Sequence, residues 1–207
     1  MVIGYRKRIW YPGAIYHVMS RGVRGGQIFK DASDYRLFLE IVRKCQKEFD
    51  FILHSYCLMT NHFHMQIETK DVNISVIMEK ILKTYANNFN SKYNFMGHVF
   101  QGRYKGLIIE DTAYFLETGR YIHLNPVKAQ MVKKAEEYEY SSYKFYIMKE
   151  TNIEHADDIL YRDKTLSYFS DADSTEYAKF VEAKINHEEY ETVIMTELKE
   201  DENWLPW

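Results

Sequence analysis

The chain has 207 residues, 46% of them hydrophobic and 28% charged, and its aromatic content of 16% is carried mainly by 18 tyrosines and 12 phenylalanines. That is room for one good-sized core, too apolar and aromatic for a disordered chain, and no apolar run reaches the ~20 residues of a membrane-spanning helix. The net charge of −3 divides unevenly: residues 1–150 hold 22 Lys/Arg against 15 Asp/Glu, and residues 151–207 hold 5 against 15. A basic body with an acidic tail fits nucleic-acid contact, and equally a solvated acidic helix on a near-neutral enzyme.

Residues 14–21 predict a strand ending at Gly22, and Gly22, Gly25 and Gly26 mark a loop. Asp31 and Asp34 can cap a helix whose apolar face is Tyr35, Leu37, Phe38, Ile41, Val42 and Cys45, reaching about residue 49. Residues 51–59 form a second strand, Thr60-Asn61 a tight turn, and residues 62–69 alternate as a third strand. Asn73 can cap a second helix running to about Asn90. A fourth strand is expected over 103–110. A third helix starts at Asp111-Thr112 and runs toward Asn125-Pro126, where the proline marks its end or a kink. This β-α-β-β-α-β-α order is that of an α+β, ferredoxin-like split-βαβ sheet, with the first and third strands central and the first two helices on one face. Residues 1–145 are expected to form one domain and 146–207 an acidic, mainly helical extension. Cys45 and Cys57 give no disulfide framework, and without a signal-type segment the expected setting is the reducing cytoplasm.

Alternation sets His62, His64, Gln66 and Glu68 on one face of the third strand and Phe63, Met65, Ile67 and Thr69 on the other. The apolar set should pack on the first two helices. The imidazoles then stand paired on the opposite face, either as partly solvated histidines or as ligands for one divalent metal. A zinc site would recruit His54 or Cys57 as well. Strict alternation turns those two to opposite faces, so at most one could join. On the first strand Ile15, His17, Met19 and Arg21 share a face. Pairing with the third strand would bring His17 and Arg21 near the imidazoles, to orient a ligand or meet a phosphate, although His17 could equally bond only locally.

Residues 120–128 read Arg-Tyr-Ile-His-Leu-Asn-Pro-Val-Lys. Tyr121 and Asn125 are four apart and share a helix face. A tyrosine phenol can attack phosphorus, and an asparagine carbonyl suits a hard cation. Taken singly, either residue is ordinary.

In combination, His62-Phe63-His64 on a strand and Tyr121-Ile-His-Leu-Asn125-Pro126-Val127 on a later helix resemble the single-tyrosine HUH transposases. These are insertion-sequence enzymes, and the likeness is strongest to the REP-associated tyrosine branch. Tyr16-His17-Val18, Arg21-Gly22, Met59-Thr60-Asn61 and Tyr140-Ser141-Ser142-Tyr143 also match, so the likeness covers about residues 10–145. It implies an HUH endonuclease site in which His62, His64 and Asn125 hold Mg²⁺ or Mn²⁺ and Tyr121 forms a 5′-phosphotyrosine link, with His17 and Gln66 supporting the ligands. It implies single-stranded, hairpin-forming DNA as the partner, no membrane partner, and either a monomer or a homodimer. Arg6, Lys7, Arg8, Arg21, Arg24, Arg103 and Lys105 are the candidate DNA-backbone contacts, and exposed tyrosines could stack on unpaired bases. Two other readings compete. One is a non-catalytic nucleic-acid-binding regulator on the same scaffold, and the other is a metal hydrolase of a small phosphodiester that uses water as nucleophile.

Overall fold

The structure is a computed structural model and describes residues 9–147, 157–170 and 174–183. Strand β1 (Ile15–Arg21) is followed by α1 (Ala32–Phe49), β2 (Ile52–Leu58), β3 (His62–Glu68), α2 (Ile74–Tyr93), β4 (Lys105–Ile109) and α3 (Thr112–Lys128). The strands form one sheet in the order β2-β3-β1-β4, with every neighbouring pair antiparallel. This is the split-βαβ arrangement expected from the element order. No helix among the described residues is long and apolar enough to cross a membrane.

The helix starts follow their caps. Asp31 accepts from the backbone amides of Ser33 and Asp34 and forms a capping box with Asp34. Asn73 accepts from Ser75, and Asp111 from Tyr114. Each satisfies amides that a helix start leaves without partners. Tyr16, Val18, Phe63, Met65, Ile67, Leu53 and Tyr56 are buried in one core with Phe38, Ile41, Ile77, Ile81 and Tyr85 of α1 and α2. The apolar face of β3 therefore lies where alternation put it.

The opposite face of the sheet is covered too. Helix α3 lies over β2 and β3. Behind it sit α4 (Tyr143–Ile147), α5 (Asp163–Leu166) and α6 (Ser174–Glu182). The stretch before α4 lies on the edge of β2: Leu58 N–H donates to the Tyr140 carbonyl and Ser142 N–H to that of Tyr56, each at 2.9 Å. Leu160 bridges Leu53 in parallel.

Three expectations need correction. The register between β2 and β3 shifts between Leu53 and Ser55, a bulge at His54. A bulge breaks strict alternation, so His54 turns to the same face as Cys57, where its Nε2 meets Glu68 Oε2 at 2.9 Å. Helix α3 does not stop at Asn125-Pro126 but continues to Lys128, since a proline near a helix end forfeits only one amide donor. Strand β4 begins at Lys105 rather than 103, because Gly102, at φ +82°, still turns the chain.

Candidate active site

Antiparallel pairing sets Arg21 opposite His62, Met19 opposite His64 and His17 opposite Gln66. Directly paired residues share a face, so His17, Arg21, His62 and His64 converge. Helix α3 closes over them. His17, His62, His64 and Asn125 are all buried, so the imidazole pair is not the solvated one that an open sheet face would leave.

Tyr121 and Asn125, one turn apart, both point at the histidines. The Tyr121 ring stands nearly perpendicular to that of His64, 5.5 Å between centroids, and 5.8 Å from that of His17. Asn125 Oδ1 lies 3.3 Å from His62 Nε2, and its Nδ2 lies 3.5 Å from His64 Nε2. The far nitrogens are also held. His62 Nδ1 donates to Asn61 Oδ1 at 2.8 Å, and His64 Nδ1 shares a hydrogen with His17 Nε2 at 2.9 Å.

This arrangement tests the site for a cation. Burial holds the His62 pKa down to about 4, with Asn125 Oδ1, which would accept from the protonated ring, acting the other way and Arg21 adding to the lowering. Burial, then His62 and His17, holds His64 well below its usual value. Both rings are therefore neutral near pH 7 and each carries one N–H. With the His62 hydrogen committed to Asn61, Nε2 turns a lone pair toward the lone pairs of Asn125 Oδ1. Two acceptors facing each other repel unless something positive joins them. Two imidazole nitrogens and an amide oxygen are a donor set that suits a divalent first-row or hard cation. Anchored distal nitrogens are the usual support of metal-binding imidazoles. The residues fit a divalent ion. Among the described residues no group of three His, Cys, Asp or Glu could hold a metal, and the oxygen donor beside the two imidazoles is the Asn125 amide.

Burial pushes the Tyr121 phenol up to about 12, and a hydrogen bond with Asn125 acts the other way. Lys128 Nζ stands 5.0 Å from the Tyr121 ring centroid. Burial of this ammonium, then Arg120, lowers it to about 8. The side chain as a whole stays exposed, so water screens part of that effect. A cleft of about 590 Å³ opens here, with Tyr121, His62, Asn125 and Lys128 along its wall.

Residues 11–125 match the family model described as transposase IS200-like. The chain belongs to the IS200-like transposase family. No curated protein matches it. Among solved structures, a REP-associated tyrosine transposase bound to a REP hairpin shares the fold. Its TM-score is 0.61 at 18% identity, over 75% of this chain and 90% of that one. A candidate transposase from Deinococcus radiodurans R1 matches with a TM-score of 0.41 at 14% identity, over 61% of this chain and 91% of that one.

In this IS200-like transposase the remaining site candidates fall into three groups. Arg21, Arg24, Arg103 and Lys105 gather at one end of the sheet, the end that carries His62. The Gln101 amide donates to the Arg21 carbonyl, the Val23 amide to that of Val99, and Lys105 pairs with Met19. Gln66 shares the imidazole face but is engaged elsewhere. It accepts from Ser55 Oγ at 3.0 Å and donates to the Phe115 carbonyl at 2.9 Å, which ties the start of α3 to the sheet. Arg6, Lys7 and Arg8 lie outside the described residues. Sequence reasoning missed two residues. Asn61, which orients His62, reads in the sequence as a turn residue within the matching Met59-Thr60-Asn61 stretch, with no role of its own. Lys128, seven past Tyr121, falls on the same helix face, but only if the helix passes Pro126.

Proposed function

We propose that this protein nicks and rejoins single-stranded DNA at hairpin-associated sites, with Tyr121 as nucleophile and Mg²⁺ or Mn²⁺ held by His62, His64 and Asn125. The observation that carries the reading is one helix face presenting a phenol and an amide, one turn apart, to two neutral imidazoles whose distal nitrogens are anchored. When bound, the cation would polarise a phosphate and stabilise the charge that develops on it.

The chain's own residues account for the rest. Asn61 and His17 keep the proximal nitrogens of His62 and His64 turned toward Asn125. Burial under α3 excludes water from the imidazoles, which favours the phenol over hydrolysis. As Tyr121 Oη bonds to phosphorus its proton leaves, the P–O3′ bond breaks, and the departing oxygen takes up a proton to become a 3′-hydroxyl. The 5′-phosphate remains on the tyrosine. A second 3′-hydroxyl reverses the step, so each phosphodiester broken is matched by one formed and no nucleotide triphosphate is consumed. A phenol held near 12 is a reluctant nucleophile, and Lys128 is the positive group beside it in this chain. Arg21, Arg24, Arg103 and Lys105 would run the DNA backbone toward His62.

The test uses single-stranded oligonucleotides tiling the DNA around the gene, incubated with protein and Mg²⁺ or Mn²⁺ and resolved on a denaturing gel. The expected result is a covalent band that is lost with chelator, in Tyr121→Phe and in His62→Ala/His64→Ala. Tight, metal-independent binding without any band would replace this reading with that of a DNA-binding regulator. Metal-dependent phosphodiester turnover that survives Tyr121→Phe would replace it with a hydrolase.

A further inference from the structure

Beyond the phosphate site, the cleft continues between two rigid rims. One is the β2–β3 turn at Met59–Asn61, and the other is the chain leaving α3 at Ala129–Met131. The Thr60 carbonyl accepts from the amides of Ile28 and Phe29 at 2.9 and 3.0 Å. On the other rim the Gln130 amide donates to the Val127 carbonyl at 3.0 Å and the Met131 amide to the Pro126 carbonyl at 2.9 Å. Gln130 itself takes the left-handed conformation, φ 55°, that ends a helix.

The lining is unlike that of a phosphate track. One exposed thioether, Met131, borders the space, 41% exposed beside Tyr121, while Met59 at the opposite rim is buried with its sulfur accepting from Cys57 Sγ at 3.6 Å. The side chains of Thr60 and Gln130, also in the lining, make no hydrogen bond with other described residues. A volume of about 590 Å³ exceeds what a phosphate occupies and lies within the ~300–1,000 Å³ of small-molecule pockets. Thioethers pack well on aromatic faces, and an amide with a hydroxyl can pair with the polar edge of a flat ring. Lys128, at the same wall, offers a charge to a neighbouring phosphate.

We propose that this cleft is a base subsite. It takes the unpaired nucleobase adjoining the scissile phosphate against Met131, and Gln130 and Thr60 read its edge. The inference rests on the strand-transferase reading and deepens it, since it makes the protein itself a reader of one base at the cut.

The test replaces, one at a time, each nucleotide flanking the mapped cut with an abasic residue, and follows the rate of adduct formation. An abasic residue on one side is expected to slow the wild type by about two- to tenfold, the scale of one lost thioether–ring contact, with little effect on the other side. Gln130→Ala is expected to level the preference among the four bases at that position while the rate on the best base falls less. Met131→Ala is expected to weaken binding of the oligonucleotide at every base. Wild-type rates with abasic residues on both sides, or an unchanged base preference in Gln130→Ala, would overturn the subsite while leaving the transferase intact. If no adduct forms with any oligonucleotide, the transferase reading fails, and the subsite is judged by fluorescence alone. 2-Aminopurine scanned along a bound oligonucleotide should then change emission at a single position and lose that change in Met131→Ala. A uniform response along the strand would overturn the subsite.

Discussion

His123 should be worth more to this protein than any exposed residue near the site. At ~100° per residue it lies about 200° around α3 from both Tyr121 and Asn125, so it faces away from the chemistry while they face toward it. It is fully buried. Its Nε2 lies 2.8 Å from Ser142 Oγ and its Nδ1 2.8 Å from the Tyr177 hydroxyl. Ser142 in turn bonds the Tyr56 backbone on β2, and Tyr177 belongs to α6. The helix that carries Tyr121 is thus pinned to a strand on one side and to α6 on the other. In His123→Ala two neutral hydrogen bonds are lost, about 1 kcal/mol each, and the buried Tyr177 hydroxyl loses a partner, about 1–3 kcal/mol more. The vacated space among the Tyr143, Tyr146 and Tyr177 rings adds to this. The expected loss is at least about 3–5 kcal/mol, a large part of the ~5–15 kcal/mol typical of a domain. Tyr177→Phe should cost about 1–3 kcal/mol, and the double variant less than the sum of the two. Urea unfolding of the four proteins measures all of this. A loss below about 1 kcal/mol in His123→Ala, or strict additivity with Tyr177→Phe, would refute the clamp.

Three other outcomes are expected. Burial holds His17 and His123 near pKa 3 and His62 near 4, against ~6.5 in the unfolded chain. Folding favours their neutral forms, so the stability they contribute is complete above about pH 6.5 and is lost as the pH falls toward 4. At pH 5 the loss is about 2 kcal/mol per histidine, and a urea midpoint unchanged between pH 7.5 and 5 would contradict it. His17→Phe keeps the bulk but removes the partner of His64 Nδ1, so Mn²⁺ affinity by calorimetry should fall about 10–100-fold, and unchanged affinity would deny His17 its orienting role. In Gly22→Ala the new Cβ would collide with the Gly26 carbonyl oxygen. The loop bearing Arg24 must then shift, costing about 1–3 kcal/mol and weakening oligonucleotide binding, and wild-type behaviour in both assays would contradict that account.

Much of this was legible before any coordinates, for physical reasons that differ by element. A period of two is unambiguous in His62–Glu68, so the division between the imidazole face and the core face followed directly. Asp31, Asn73 and Asp111 announced their helices because short polar side chains satisfy bare amides. The i, i+4 spacing placed Tyr121 and Asn125 together, and the sheet order brought His17 to His64. Other features depend on partners that a sequence does not display. The bulge at His54 is a property of two strands in register. The passage of α3 through Pro126 depends on how little a missing donor costs near a helix end, and that passage put Lys128 in the cleft. Burial of the imidazoles required α3 to fold back over the sheet, and the residues that hold it there, Ser142 and Tyr177, lie 19 and 54 positions from His123.

The most direct test of the central claim is to locate the covalent bond. The protein–DNA adduct formed with Mg²⁺ or Mn²⁺ would be digested with nuclease and protease, and the peptide spanning Tyr121 sequenced by mass spectrometry. A nucleotide joined through its 5′-phosphate to the Tyr121 oxygen, with a free 3′-hydroxyl on the released strand, is the predicted result. Attachment at any other residue, or a 3′-phosphate link to Tyr121, would contradict it.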